Sequence, residues 1–384
     1  MSFSNVQLAN VQSLQRNWDA LNTKTTRDQQ NNEEKCAFYL IPNDVLDPQQ
    51  RIKRYELGYW DEKGQVRFMR EAHIQYLKKH LGELGTRYMS QASSKPWLYY
   101  HVLNSLDLLD AEDTSLYEGA TASVEACYTD GGYAGGEFEF PHLMTTYAAV
   151  NTLVLMRKYS MIHRDALYAL FMSLKSEEGS FQVHLNGESD TRGCYCVLSM
   201  CRLLNLLREE LTSGVCEYLL RCQSYEGGFG SNPGSEAHGG YTYCAVACLS
   251  ILNRLGECDV DGLEKWLVDR QYALEGGYNG RTNKLVDGCY SWYIGASLEL
   301  VRKYRNARGY PNRASMLKYA YCMEQNMSEG GLRDKPEMHS DLYHTMYCLC
   351  GLSVLGALDK EVDCIHCIER GKVVDCMRYF GGLE

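Results

Sequence analysis

Two kinds of apolar pattern alternate along the chain from about residue 66 onward. The first is a single stripe at helical spacing, as in DALYALFMSLK (165–175), GVCEYLLRCQ (214–223), GLEKWLVDRQ (262–271) and ASMLKYAYCMEQ (314–325). Each is followed by a glycine turn and then by a segment apolar on nearly every face: HLMTTYAAVNTLVLM, YCVLSMCRLLNLL, YTYCAVACLSILNRL, the stretch after Cys289, and TMYCLCGLSVLGAL. A striped helix keeps one side in water, whereas a helix apolar all round is buried. The first set is therefore outer and the second inner. An earlier pair, REAHIQYLKKHL (70–81) and PWLYYHVLNSLDLLD (96–110), lacks the glycine turn and brings the expectation to six helix pairs. Pro96 suits a first helical turn.

The turns read DGGYAGG (130–136), EEGSF (177–181), EGGFG (226–230), EGGYNG (275–280) and EGGL (329–332). Aligned on Gly132, Gly179, Gly228, Gly277 and Gly331, they recur at intervals of 47, 49, 49 and 54 residues. Repeating helix pairs stack as an open solenoid or close into a ring. The inner segments carry too little polar surface for a solvated concave face, so the pattern predicts an all-α fold, an α/α barrel or toroid. Its inner and outer rings span residues 66–384, after a polar, Asn- and Gln-rich arm over 1–65. That arm either packs on something or stays loose.

Composition narrows the function classes. A net charge of -10 without a long basic run argues against a nucleic-acid binder. No apolar stretch is long enough to span a bilayer and no secretory leader is visible, which points to the cytoplasm. The 17 cysteines are odd in number and sit mostly within apolar helical patterns, as expected of reduced core residues.

The repeat phase gathers polar residues at one end of the inner helices. His142, Arg192, His238, Asp287, Cys289 and His344 fall 10 to 13 residues after the aligned glycines, and Trp97 holds the matching place in the first pair. Asp, Cys and His form a mixed oxygen, sulfur and nitrogen set that suits zinc, although a histidine opening an apolar helix is equally readable as a cap. His238, Arg281, Lys284 and Tyr290 are a donor set for a phosphate or diphosphate, or an ordinary solvated surface. No Walker loop or G-x-G-x-x-G fingerprint points to a nucleotide. Trp97, Tyr195, Tyr241, Tyr243, Trp292, Tyr293, Tyr343 and Tyr347 are core, or walls of a funnel for a long apolar chain with a charged head. The acidic run DLLDAED (107–113) reads as a solvated helix end, and Asp334 as a loop carboxylate near the mouth.

With AHGGYTYC (237–244), EGGYNGRTNKLVDGCYSW (275–292), DKPE (334–337) and SDLYHTMYCLCGLS (340–353), the chain resembles the β subunits of protein prenyltransferases over roughly residues 70–355. The resemblance implies a catalytic β subunit in an obligate heterodimer with an α subunit, moving farnesyl from farnesyl diphosphate to the cysteine thiolate of CaaX-terminated proteins. It implies zinc on Asp287, Cys289 and His344, and the diphosphate on His238, Arg281, Lys284 and Tyr290, the last two also serving catalysis. It further implies magnesium at Asp334, the peptide carboxylate near His142, Glu188 and Arg192, and channel walls from Trp97, Tyr195, Tyr241, Tyr293, Tyr343 and Tyr347. The bulk of Trp97 favours a 15-carbon chain over the geranylgeranyl or dual-specificity alternative; a non-catalytic helical scaffold is the rival of another class. His101 stands where farnesyl-transferring relatives usually carry a second channel tryptophan, and Met144 and Thr145 also depart from their pattern.

Overall fold

The alternation of striped and all-apolar segments resolves into two rings of helices in a computed structural model, which describes residues 23–40, 45–56, 58, 66–82, 86–307, 309–310 and 312–381. Arm residues 1–22, 41–44, 57 and 59–65 lie outside the described residues. Helices α1 (Lys24–Leu40) and α2 (Pro48–Glu56) belong to the arm. Outer and inner helices then alternate: α3 (Arg70–Gly82) with α4 (Lys95–Leu108), α5 (Tyr117–Glu125) with α6 (Leu143–Leu155), and α7 (Arg164–Leu174) with α8 (Thr191–Leu203). The second half continues with α9 (Val215–Arg221) and α10 (Gly239–Ile251), α11 (Val260–Val268) and α12 (Tyr290–Arg305), and α13 (Arg313–Tyr319) and α14 (Leu342–Val354), followed by α15 (Arg370–Tyr379). Each inner helix packs on the next, and α14 packs back on α4, so the ring closes.

Burial follows the two patterns. Outer α7 buries Leu167, Phe171 and Leu174, one stripe, whereas every residue of inner α8 except Arg192 and Arg202 is buried. All 17 cysteines are buried and free, consistent with core thiols.

The turns correct the sequence register by one position. A glycine with positive φ recurs at Gly131, Gly179, Gly227, Gly276 and Gly330, spaced 48, 48, 49 and 54 residues apart, and in the last turn Gly331 is left-handed as well. The doubled glycine in four turns had hidden this, because EEGSF has only one. A Cβ at Gly179 would collide with the carbonyl oxygen of Gly214, at the start of the next outer helix, and the other four turn glycines meet the next outer helix in the same way. For Gly330 that helix is α3, through the carbonyl of Ala72, so the last turn docks on the first helix. Threonines in the first turn of three inner helices then pin the turn: Thr146, Thr242 and Thr345 accept from the amides of Tyr133, Phe229 and Leu332 at 3.0, 2.9 and 3.0 Å.

Two regions depart from the expectation. The helix expected over 314–325 is α only to Tyr319, after which Ala320–Glu324 form a π-helical turn. In the acidic run 107–113, Asp110 and Glu112 are exposed as expected of a helix end, but Asp107 is 1% exposed and pairs with Lys360 Nζ at 2.5 Å, a partner 253 residues away that no local pattern could reveal. Lys372 engages Glu112 and donates to Leu155 O at 2.9 Å. These lysines tie the chain after α14 back across the barrel, where residues 361–369 enter its interior beneath the inner-ring tyrosines.

The described part of the arm is docked by polar contacts. Gln29 and Asn32 of α1 donate to the buried Glu275 carboxylate at 2.9 and 3.1 Å, and Lys35 pairs with Glu337 at 2.7 Å. Arg54 and Lys318 donate to the carbonyls of Phe38 and Leu40, placing side-chain donors at the negative end of α1.

The glycine contacts are testable. Gly234→Ala, at φ +83 with open space around it, is expected to cost about 1 kcal/mol, the conformational term alone. Gly330→Ala adds the collision with Ala72 and is expected to cost about 3 kcal/mol in all. Chemical denaturation of the purified variants checks this; equal losses would show that the close approach does not hold the ring shut.

Candidate active site

Eleven residues after each left-handed glycine comes a residue at the start of an inner helix: His142, Asp190, His238 and Asp341 are the N-caps of theirs, and Asp287 stands two residues before Cys289, the N-cap of α12. Helix starts leave amide donors without partners, and these side chains accept them. His142 Nδ1 accepts from Met144 N at 3.1 Å, and His238 Nδ1 from Gly240 N at 3.1 Å. Asp190 accepts from Arg192 N at 2.8 Å, Asp287 from Cys289 N at 2.9 Å and Asp341 from His344 N at 2.7 Å. The cap reading of the two histidines therefore holds for one ring nitrogen, and the other is left for a second task. All five positions share one end of the barrel.

At two adjacent helix starts a donor set converges. One ligand atom each from Asp287, Cys289 and His344 lie within 4.8 Å of one another. His344 Nδ1 is 2.6 Å from Asp341 Oδ2, which orients the ring, and a neutral ring donating there turns its Nε2 lone pair toward the other two. Nε2 is buried without a hydrogen-bond partner, although 3.2 Å from Asp287 Oδ1, a contact that lacks hydrogen-bond alignment. An orphaned buried nitrogen beside a carboxylate and a thiol fits a divalent metal ion. Gly288 sits between the ligands because a Cβ there would press on Cys348 Sγ at 2.7 Å and Arg333 O at 2.8 Å.

The electrostatics of the metal-free set are strongly coupled. Burial works against charge on His344, but its contacts with Asp287, Asp341 and Cys289 outweigh burial and push its pKa up to about 12. Burial likewise opposes the Asp287 carboxylate, yet His344 pulls it down to about 2. The Cys289 thiol is pushed up to about 12 by burial and then by the Asp287 charge. Without metal at neutral pH, the set is an imidazolium, a carboxylate and a thiol.

The second cluster shares the same helix start. Tyr290, next to Cys289, places its hydroxyl 3.0 Å from His238 Nε2. Gly239 and Gly280 flank the Tyr290 ring; a Cβ at Gly239 would come within 2.9 Å of it, and one at Gly280 would overlap it. Arg281 pairs with Glu236 at 2.5 Å, a carboxylate that sequence reading missed although it lies two residues before His238. Lys284 is exposed, and Asn279 holds its backbone carbonyl at 2.9 Å.

Aromatic rings line the neighbouring inner helices. Trp97 lies 5.4 to 5.9 Å from the rings of His101, Tyr100 and Tyr147. Tyr293 packs on Tyr347 at 4.9 Å and meets the Tyr343 hydroxyl at 3.3 Å. His101 faces Tyr343 and Tyr347, is driven to about pKa 3 by burial, and keeps a buried Nε2 without a partner. Tyr195 joins Tyr147 and Tyr243 through its hydroxyl, at 3.0 Å to each. Arg192 sits over Tyr241 at 5.5 Å, but it is held by Asp190 at 2.5 Å, and Glu188 is only a distant partner at 3.9 Å. His142 lies 5.6 Å from the His184 ring.

Asp334 enters through its backbone as well as its carboxylate. Its carbonyl accepts from Gly288 N at 2.8 Å and from the Tyr319 hydroxyl at 2.9 Å, stitching its loop to the one that carries Asp287 and Cys289. One carboxylate oxygen pairs with Lys335 and the other is buried without a hydrogen-bond partner. Asp190 and Asp341 also escaped the sequence reading; the signal was present in their equivalence to His142 and His238, once the turns are aligned on the left-handed glycine.

Comparisons with known proteins agree with this architecture. The prenyltransferase alpha-alpha toroid domain matches residues 68–368. Protein farnesyltransferase subunit beta of Arabidopsis thaliana is 34% identical, with 82% of this chain and 78% of that protein covered. The Schizosaccharomyces pombe protein of the same name is 41% identical over 74% of this chain and 78% of its own length. The geranylgeranyl transferase type-1 subunit beta of Arabidopsis thaliana is 30% identical over 75% of this chain and 85% of its own. Among solved structures, Candida albicans protein geranylgeranyltransferase-I complexed with GGPP supports the fold, with a TM-score of 0.68 at 20% identity over 82% of this chain and 98% of that one. With a family match across most of its length and relatives well above 30% identity, the chain belongs to the prenyltransferase α/α-toroid family, as a β subunit of the protein farnesyltransferase type.

Proposed function

We propose that this subunit binds zinc on Asp287, Cys289 and His344 and transfers farnesyl from farnesyl diphosphate to the cysteine of a CaaX protein C-terminus. The observation that carries the reading is the meeting, at the start of α12, of the Asp–Cys–His donor set with the His238–Tyr290–Arg281–Lys284 cluster. Zinc held by three protein ligands would keep a fourth position for the substrate thiol and favour its thiolate. The residues around it divide the remaining work. His238 and Tyr290 donate hydrogen bonds to the diphosphate, and Arg281 and Lys284 add positive charge. In the reaction the thiolate sulfur bonds to C1 as the C1–O bond breaks, and that electron pair leaves with the diphosphate. Arg281 exchanges Glu236 for the ligand as it engages.

Trp97, Tyr195, Tyr241, Tyr293, Tyr343 and Tyr347 form the apolar walls for isoprenoid and peptide, and the bulk of Trp97 favours 15 carbons. Arg192, His142 and Glu188 lie toward the peptide carboxylate. Magnesium at Asp334 is supported by its unpartnered oxygen but competes with Lys335 for the same carboxylate. The working enzyme is a heterodimer with an α subunit, in the cytoplasm; among the described residues no helix is long and apolar enough to cross a membrane. Residues 1–65 act as an arm on a catalytic barrel of 66–384.

Four outcomes test the reading. Metal analysis of the heterodimer should find about one zinc per β chain; its absence would favour the scaffold. Because the ligating forms are neutral imidazole and thiolate, zinc entry near pH 7 must expel one proton from His344 and one from Cys289. Both pKa values lie above neutral, so affinity rises with pH, by about two log units per unit between pH 6 and 8 in chelator competition. A flat profile would contradict the assigned ligands. Cys289→Ala should abolish zinc and turnover while changing donor affinity by no more than about twofold, since the diphosphate set is separate. Trp97→Thr should raise kcat/KM for a 20-carbon donor relative to a 15-carbon one.

A further inference from the structure

We propose that the C-terminal segment 361–369 is a specificity element: it braces Trp97 through a belt of tyrosines and thereby fixes how long an isoprenoid the channel accepts. The inference rests on the reading of Trp97 as the end of the donor channel. The belt consists of Tyr100 on α4, Tyr147 on α6, Tyr195 on α8 and Tyr243 on α10, all buried. Three of them, Tyr147, Tyr195 and Tyr243, stand sixteen residues after the left-handed glycines of successive repeats, so the ring places them at one level.

Each phenol has one proton to give, and the segment offers each a carbonyl. Tyr100 donates to Cys367 O at 2.8 Å, Tyr147 to His366 O at 3.1 Å, and Tyr195 and Tyr243 to Ile365 O at 2.8 and 3.1 Å. Asn104 adds a second donor to Cys367 O at 2.9 Å. Cys367 adopts φ +58, a left-handed conformation that a non-glycine residue keeps only where its surroundings impose it. The segment is held from both flanks by Lys360 on Asp107 and Lys372 on Glu112, and from within by His366 Nδ1 at 3.1 Å from Ser199 Oγ.

Trp97 rests on the two belt tyrosines at one side, 5.8 Å from Tyr100 and 5.9 Å from Tyr147. Without the segment, Tyr100 would keep only the Tyr147 hydroxyl at 3.4 Å, and Tyr147 only that contact and the Tyr195 hydroxyl at 3.0 Å, so the rings would be freer to tilt. The indole above them would lose its seat. A plug that only closed the far end of the barrel would affect stability alike for both donors. Bracing Trp97 predicts instead a change in donor choice.

The experiment measures kcat/KM for 15- and 20-carbon diphosphates with one CaaX peptide in the heterodimer, together with thermal midpoints. Tyr100→Phe and Tyr147→Phe keep the rings and remove the hydroxyls; the double variant should shift the ratio by about fivefold toward the 20-carbon donor. Lys360→Met loosens the segment from outside the lumen and should shift the ratio the same way, which serves if the tyrosine pair fails to fold. Tyr243→Phe removes an equivalent bond to the segment beneath a ring that packs on Trp292 and Tyr293, so its ratio should stay near wild type. An unchanged ratio in the tyrosine pair and in Lys360→Met, with Trp97→Thr shifted, overturns the bracing proposal alone. An unchanged ratio in Trp97→Thr overturns the channel reading itself, and the bracing with it.

Discussion

The close approach of a left-handed glycine to the next outer helix is the contact on which the rest depends. A side chain at any of these turns would drive adjacent pairs apart, and the left-handed backbone would be strained as well. Because the last turn meets the first outer helix, the same local rule both spaces the pairs and closes the ring. It also fixes phase. Once the glycine is placed, the residue eleven positions later falls at or just before the start of an inner helix at one mouth, and side chains that accept the free amides become neighbours there. The chemistry is thus built from residues that a helix start needs anyway.

Asp287, Asp341 and His344 show how that economy works. Asp341 caps α14 through one oxygen and orients His344 through the other, while Asp287 binds the Cys289 amide and stands beside His344 Nε2. Two carboxylates around one imidazole hold it as a cation when metal is absent, which keeps a buried charge compensated. A divalent ion bound as proposed would take the place of the expelled proton and provide that compensation instead. The site is therefore preorganised for a cation of some kind, and the thiol at Cys289 selects a softer one than oxygen ligands alone would.

Much of this was legible in the chain because it is written in repeats. Apolar stripes separated inner from outer helices, and the clustering of His142, His238, Asp287, Cys289 and His344 survived a register error of one, since all five shifted nearly together. That error concealed something finer: with Gly179 equated to the wrong glycine of its neighbours, Asp190 and Asp341 did not line up with the histidine caps. What has no repeat was not legible. The pairing of Asp107 with Lys360 joins residues 253 apart, and the carbonyls of 365–367 meet tyrosines of four inner helices through backbone atoms that no side-chain pattern encodes. The π-turn at Ala320–Glu324 likewise breaks a periodicity that reads as one continuous helix.

The cations at the mouth pose an apparent difficulty in a chain of net charge -10, because most are already partnered: Arg281 by Glu236, Arg192 by Asp190 and Lys335 by Asp334. Such pairing keeps each head group in place while the site is empty, since long side chains otherwise lose the geometry that recognition needs. It also sets a threshold. A singly charged anion gains little by displacing one carboxylate from one arginine, for the exchange replaces like with like. The diphosphate proposed for this site would engage Arg281, the exposed Lys284 and the His238–Tyr290 pair together, beside helix amides that carry partial positive charge. Only a ligand that collects several of these contacts at once outcompetes the internal carboxylates, so the acidic partners sharpen selection for a multiply charged head group rather than opposing it.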